Sequence, residues 1–267
     1  MPEVELLSGL DGRLRIWDHP DDGIGYVIGA DTAENVVRDR GASRRAKRVS
    51  YVDDRPDYSA AIVIELETGR HVASWHGYED PGVYGSFLCA LGLYYNEALL
   101  VPELNGPGIS VVERLLDLRY PNLYRGMEWN DIDPEGPASS WGWRTTRENR
   151  PRLIARISEI LQTTAFTTRD KQLVDELRTM QHSEDGTPRA KGRDKDDRVI
   201  ALGLALQGRY ESLSGMQAKH VGPVQNHPDA REWNYVKERM KHGRRSPGLL
   251  HVTGAGSYSR SPVRPRS

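Results

Sequence analysis

The chain has 267 residues, room for one large domain or two small ones. Its 37 Lys and Arg against 38 Asp and Glu leave a formal net charge of −1, so bulk charge selects no partner, and a polyanion would have to meet locally clustered basic residues. The single cysteine, Cys89, excludes an internal disulfide and a multi-cysteine zinc site, and no apolar run approaches the roughly 18 residues of a membrane span.

Residues 12–19 (GRLRIWDH) alternate Leu14 and Ile16 with Arg13 and Arg15, the period of a half-buried strand. Residues 25–31 (GYVIGAD) are apolar up to Asp31 and predict a central strand. A carboxylate at the end of a buried strand is expensive unless a cation or hydrogen bonds compensate it. Residues 59–69 and 70–77 read as two strands split by Thr68-Gly69, a hairpin signal, so three consecutive antiparallel strands are expected.

Asp80-Pro81 then supplies an N-cap and a first-turn proline, followed by Tyr84, Leu88, Leu91 and Tyr95 at helical spacing. Cys89 falls in this run as a small core residue. Residues 97–103 (EALLVPE) are a short apolar strand that also ends on an acid, Glu103. Residues 108–118 predict a helix with Ile109, Val112 and Leu116 on its buried face, and 121–126 a fifth sheet segment. Residues 127–143, with Trp129, Trp141 and Trp143 among Pro, Gly and Ser, read as an irregular surface loop. These tryptophans either stack on bases or form small satellite cores.

Thr145 or Thr146 is expected to cap a helix that buries Ile154, Ile157 and Leu161, and a helix over 169–181 to bury Leu173, Leu177 and Met180. The charged turn 183–197 leads into a helix over 196–208, opened by Asp196 and Asp197 at the positive end of its dipole. A last amphipathic helix, about 229–241, uses Trp233, Val236 and Met240, and residues 244–267 are a basic tail expected to be disordered. Strands first, then alternating helices and strands, give one mixed sheet flanked by helices, an α/β or α+β layout with one core.

Asp31, Glu103 and the pair Asp196/Asp197 thus stand at the ends of three core elements. If the strands are neighbours, their C-terminal ends share one sheet edge, where converging carboxylates repel unless a divalent cation such as Mg²⁺ or Mn²⁺ neutralises them. Singly, each acid reads equally as a loop-facing carboxylate or a helix N-cap. The eight histidines show no metal-ligand spacing and receive no role.

The segments YVIGADTAE, DYSAAIVI, ALGLYYNEALLVPELNGPG, YPNLY, GWRTTRENRPRLI and DDRVIALGLAL, in that order over about 25–210, resemble the C-terminal nuclease domain of the large terminase subunit of tailed bacteriophages. The resemblance implies an RNase H-like mixed sheet, antiparallel in its first three strands with parallel strands added, in a nuclease domain spanning 1–243. It implies that Asp31, Glu103 and one of Asp196/Asp197 bind two divalent ions, Mg²⁺ or Mn²⁺, with Asp197 as direct ligand and Asp196 in support. In such sites the ions lie roughly 3.5–4 Å apart, one activating water for in-line attack on a DNA phosphate and the other stabilising the leaving 3′ oxygen.

The function so implied is cleavage of concatemeric double-stranded viral DNA during packaging, with little sequence specificity and with 5′-phosphate and 3′-hydroxyl products. The expected partners are an ATPase motor domain or subunit, the small terminase and the portal protein, at the procapsid in the host cytoplasm. A junction resolvase of the same superfamily and a non-catalytic DNA- or portal-docking module are the alternatives.

Three departures from the family pattern stand out. A long insert, 36–56, follows DTAE; Lys195 replaces the histidine common before the paired aspartates; and no Walker-type phosphate loop occurs, so no ATPase domain is expected in this chain. Lys195 is expected to contact phosphate or the transition state. Arg44, Arg45, Lys47 and Arg48 of the insert either grip phosphates or line a solvated loop. Arg189, Lys191 and Arg193, just ahead of the paired aspartates, are assigned to DNA by the family's β-hairpin beside the cleft.

Overall fold

The computed structural model describes residues 13–33, 58–126, 141–163, 166–182, 188–190 and 195–215. The insert 36–56 with Arg44, Arg45, Lys47 and Arg48, as well as Trp129, Lys191, Arg193, the helix expected at 229–241 and the tail 244–267, lie outside the described residues.

Five strands form the main sheet: β1 (Leu14–Ile16), β2 (Tyr26–Asp31), β3 (Ser59–Glu65), β4 (His71–Gly77) and β5 (Leu99–Pro102), in the order β1-β4-β3-β2-β5. The pairs β2–β3, β3–β4 and β1–β4 are antiparallel, and β2–β5 is parallel, which gives the expected mixed sheet. Gly69, at φ +75°, closes the β3–β4 turn expected at Thr68-Gly69.

On one face, helices α1 (Pro81–Tyr94) and α2 (Gly108–Asp117) cover Tyr26, Ile28, Ala30, Val63 and Trp75. On the other, α3 (Arg150–Gln162), α4 (Lys171–Thr179) and α5 (Asp197–Leu213) cover Val27, Ile62, Ile64, Leu99 and Val101. Because β2 is buried on both faces, its sequence is apolar without alternation. Asp80 caps α1 as expected, its side chain accepting from Gly82 N at 2.9 Å. Cys89 is buried in the first face, and burial pushes its thiol up to about 12.

Several expectations are corrected. In α2 the buried stripe is Gly108, Val111, Val112 and Leu115; Ile109 is exposed and Leu116 only half-buried. The helix is turned by Gly108, where a Cβ would fall 1.9 Å from the Glu103 carbonyl oxygen, so this side faces inward. In α3, Ile160 takes the inward place expected for Leu161, which is 47% exposed. Asn149, not a threonine, is the N-cap residue; Thr146 starts the preceding turn, its amide donating to Asn149 Oδ1 at 2.7 Å.

Residues 121–126 form no strand but two isolated bridges, Leu123 parallel to Leu100 and Arg125 antiparallel to Trp141. Trp141 and Trp143 are not on a surface loop: each is buried, one against either face of the sheet. Helix α4 stops at Thr179 because Met180–His182 turn into β6, which pairs antiparallel with β7 (Pro188–Ala190). Helix α5 continues to Leu213, beyond the expected residue 208.

Helix α5 lies directly on β2. A Cβ at Gly29 would fall 2.0 Å from Ala201 O and 2.4 Å from Ala205 N, both backbone atoms that cannot swing aside. Gly29→Ala should therefore destabilise the protein by at least about 2 kcal/mol in urea titrations.

A second expectation concerns acid. His71 is buried between Thr168 and the Ala73 carbonyl, its Nδ1 2.7 Å from Thr168 Oγ1 and its Nε2 2.9 Å from Ala73 O. Burial lowers its pKa to about 4, against the pull of Asp170 and of the Ala73 bond. The unfolded chain then takes up a proton near pH 6.5 that the folded chain refuses until about pH 4. Stability should fall with pH across this window, by on the order of 3 kcal/mol, and fall less in His71→Asn, as read from urea midpoints.

Candidate functional site

Asp31 is the last residue of β2. The parallel pairing with β5 runs from Val27–Leu99 to Ala30–Pro102, and Glu103 N donates to Ala30 O at 2.8 Å. Glu103 therefore stands level with Asp31. Strand alternation places both on the α5 face, two residues beyond Gly29 and Val101 respectively. The Glu103 backbone is pinned on its far side as well: Trp143 N donates to Pro102 O and Leu104 N to Trp143 O, each at 2.8 Å. Asn105 Nδ2 donates to Glu103 Oε1 at 3.2 Å and to Thr145 O at 2.9 Å.

Asp197 enters from the first turn of α5 and is buried, at the helix end where the dipole favours negative charge. Its Oδ2 lies 3.6 Å from Nε2 of His76 on β4. Asp196, half-buried, accepts from Arg150 of α3 at 2.5 Å. The next residue, Arg198, is drawn the other way, toward α4. Its Nη1 donates to Glu176 Oε1 at 2.5 Å, its Nη2 to Gln172 Oε1 at 2.7 Å, and its main-chain N to Glu176 Oε2 at 2.9 Å. Burial pushes Glu176 up to about 7 even though these Arg198 bonds oppose it.

Asp31 is held well above the usual carboxylate range. Burial is the largest cause, followed by the charge of Glu103, a side-chain hydrogen bond with Glu103, and the charges of Asp197 and Asp196. The Asp31 carboxyl therefore holds its proton more tightly than an isolated aspartate does. Among the described residues, no three His, Cys, Asp or Glu side chains are gathered closely enough to hold a metal ion as they stand. The donors nevertheless suit an oxygen-liking divalent cation, which would offset the repulsion between the carboxylates. The hydroxyls of Thr32, beside Asp31, and Thr145, beside Asn105, are also buried with no hydrogen-bond partner among the described residues.

Of the residues singled out in the sequence, Asp31 and Glu103 are in contact, Asp197 and Asp196 act on Asp31 electrostatically, and Lys195 precedes them half-buried. Arg189 lies on β7, opposite Gln181. Sequence reasoning missed His76 and the Arg150 and Arg198 anchors. Counting outward from the β3–β4 turn places Ala60 opposite Trp75; a bulge at Val63/Ile64 shifts the pairing by one, to His76.

No protein-family model matches the sequence, and no curated protein does. Solved structures match in fold. The large terminase nuclease from thermophilic phage G20c with bound magnesium aligns at a TM-score of 0.52 and 21% identity, over 78% of this chain and 98% of that one. The cobalt-bound form of the same nuclease aligns at 0.52 and 20% identity, again over 78% and 98%. The chain therefore has the fold of the terminase nuclease. Among the described residues no helix is long and apolar enough to cross a membrane.

The carboxylate edge should cost the metal-free protein stability. A carboxyl whose folded pKa is raised stabilises the fold at low pH, and that contribution is lost as pH rises through the folded pKa. Asp31→Asn should therefore raise the urea midpoint of the metal-free protein at neutral pH and leave it nearly unchanged at pH 4.

Proposed function

We propose that this chain is a terminase-type nuclease, a metal-dependent endonuclease that cuts concatemeric double-stranded viral DNA as it is packaged. The observation that carries the reading is the meeting of Asp31 and Glu103, from parallel neighbours β2 and β5, with Asp197 of α5 close enough to raise the Asp31 pKa. The fold likeness supports it, and the neighbouring nuclease structures carry magnesium and cobalt.

In this reading Asp31, Glu103 and Asp197 hold two Mg²⁺ or Mn²⁺ ions, and Asp196, anchored by Arg150, adds negative charge beside them. When bound, the ions supply Lewis acidity for hydrolysing a phosphodiester to 5′-phosphate and 3′-hydroxyl ends. The chain's own groups do the remaining work. Asp31 fixes the centre because it ends the central strand, and Glu103 is aimed by main-chain bonds on both sides. Lys195 meets a phosphate oxygen as a point charge. Arg189, Lys191 and Arg193, with Arg44, Arg45, Lys47 and Arg48, bind backbone phosphates without reading sequence.

The nuclease domain spans 1–243, and the tail 244–267 is basic. Partners are the packaging ATPase, the small terminase and the portal, in the host cytoplasm.

The test is relaxation of supercoiled plasmid by the full chain with Mn²⁺ or Mg²⁺. Wild type should nick, and EDTA should abolish nicking. Asp31→Ala and Asp197→Ala should each lose at least about a hundredfold, and Asp196→Ala less. Nicking without metal, or full activity in both strong variants, would overturn the reading, and preferential cleavage of branched DNA would favour a junction resolvase.

A further inference from the structure

We propose that His76 is a positioning residue for Asp197, a role that rests on the nuclease reading above. Asp31, Ala60 and His76 are successive partners across β2, β3 and β4, so they share one sheet face. Two strand spacings separate Asp31 from His76 by about 10 Å, and the first turn of α5 lowers Asp197 toward that row. The His76 backbone is held by the residue just before β1, its N–H donating to Arg13 O at 3.1 Å, and Tyr58 packs on its ring at 4.9 Å between centroids.

The contrast with His71 on the same strand is informative. Both ring nitrogens of His71 meet partners in the protein interior, as a structural histidine requires. The His76 side chain keeps 21% of its surface and directs Nε2 toward Asp197 Oδ2 at 3.6 Å, ion-pair range and about half an ångström beyond a hydrogen bond. Asp197 is buried, so a nearby donor acts in a low dielectric and governs the carboxylate's orientation strongly. Asp197 also acts on Asp31 through its charge, so a contact that steadies its carboxylate bears on the acidic edge. Carboxylates that bind cations commonly depend on such a supporting donor.

The experiment is calorimetric titration of the metal-free full chain with Mn²⁺, with plasmid nicking alongside. His76→Ala should weaken Mn²⁺ binding about tenfold and slow nicking, while His76→Gln, which keeps an N–H donor, should recover most of both. In an Asp197→Asn background, His76→Ala should change the Mn²⁺ affinity no further, the signature of two residues acting as one unit. Wild-type affinity in His76→Ala, no recovery by Gln, or an equal loss in the Asp197→Asn background would overturn the positioning role while leaving the nuclease reading intact. A wild-type chain that neither binds Mn²⁺ nor nicks DNA would overturn both.

Discussion

The missing side chain at Gly29 sets how closely α5 approaches β2, and the arrangement of the acids follows from it. The helix backbone occupies the space that a Cβ there would need. A second glycine, Gly208, repeats the device further along the helix, where a Cβ would fall 2.5 Å from Val101 Cγ2 and 3.2 Å from Val27 Cγ1. Gly29 meets Ala201 and Ala205, whereas Gly208 sits over Val27, so α5 runs against the direction of β2. Asp197 lies one turn ahead of Ala201 on the same helix face, which brings it to the strand end that carries Asp31.

Among the described residues, two arginines near these acids are held by other partners. Arg150 binds Asp196, and Arg198, adjacent to Asp197 in sequence, extends its guanidinium to Glu176 and Gln172 on α4. The Asp31 pKa is held up by burial and by the neighbouring acids. The same Arg198 contacts fix the start of α5, because Glu176 holds both the side chain and the main-chain amide of Arg198. The fold thus concentrates negative charge at one place and secures the surrounding backbone against the repulsion.

The strands were legible because their burial leaves direct traces. β2 is apolar up to Asp31, β3 and β4 flank a Thr-Gly turn, and β5 stops at Pro102, one residue before the acid expected to end it. The placement of Asp31 beside Glu103 was legible too, since both acids close parallel neighbours. Less was legible where tertiary contacts override local pattern. The inward side of α2 is chosen by Gly108 against the Glu103 carbonyl, which a hydrophobic stripe alone does not reveal. Trp141 and Trp143 sit among loop-forming residues yet are core, because their backbones bridge to Arg125 and Glu103. His76 was hidden by one extra residue in a strand, a register change with no sequence signature here.

The bonds that hold Glu103 between Ala30 and Trp143 have a further consequence. In a strand, a slip of one residue turns every side chain to the opposite face. A copy of the chain in which β5 docked one step out of register would direct residue 103 into the α1–α2 layer, leaving Asp31 without its acidic neighbour. The meeting of the two acids is therefore tied to correct strand docking, and a misassembled copy loses it through the same pairing error that misassembles it.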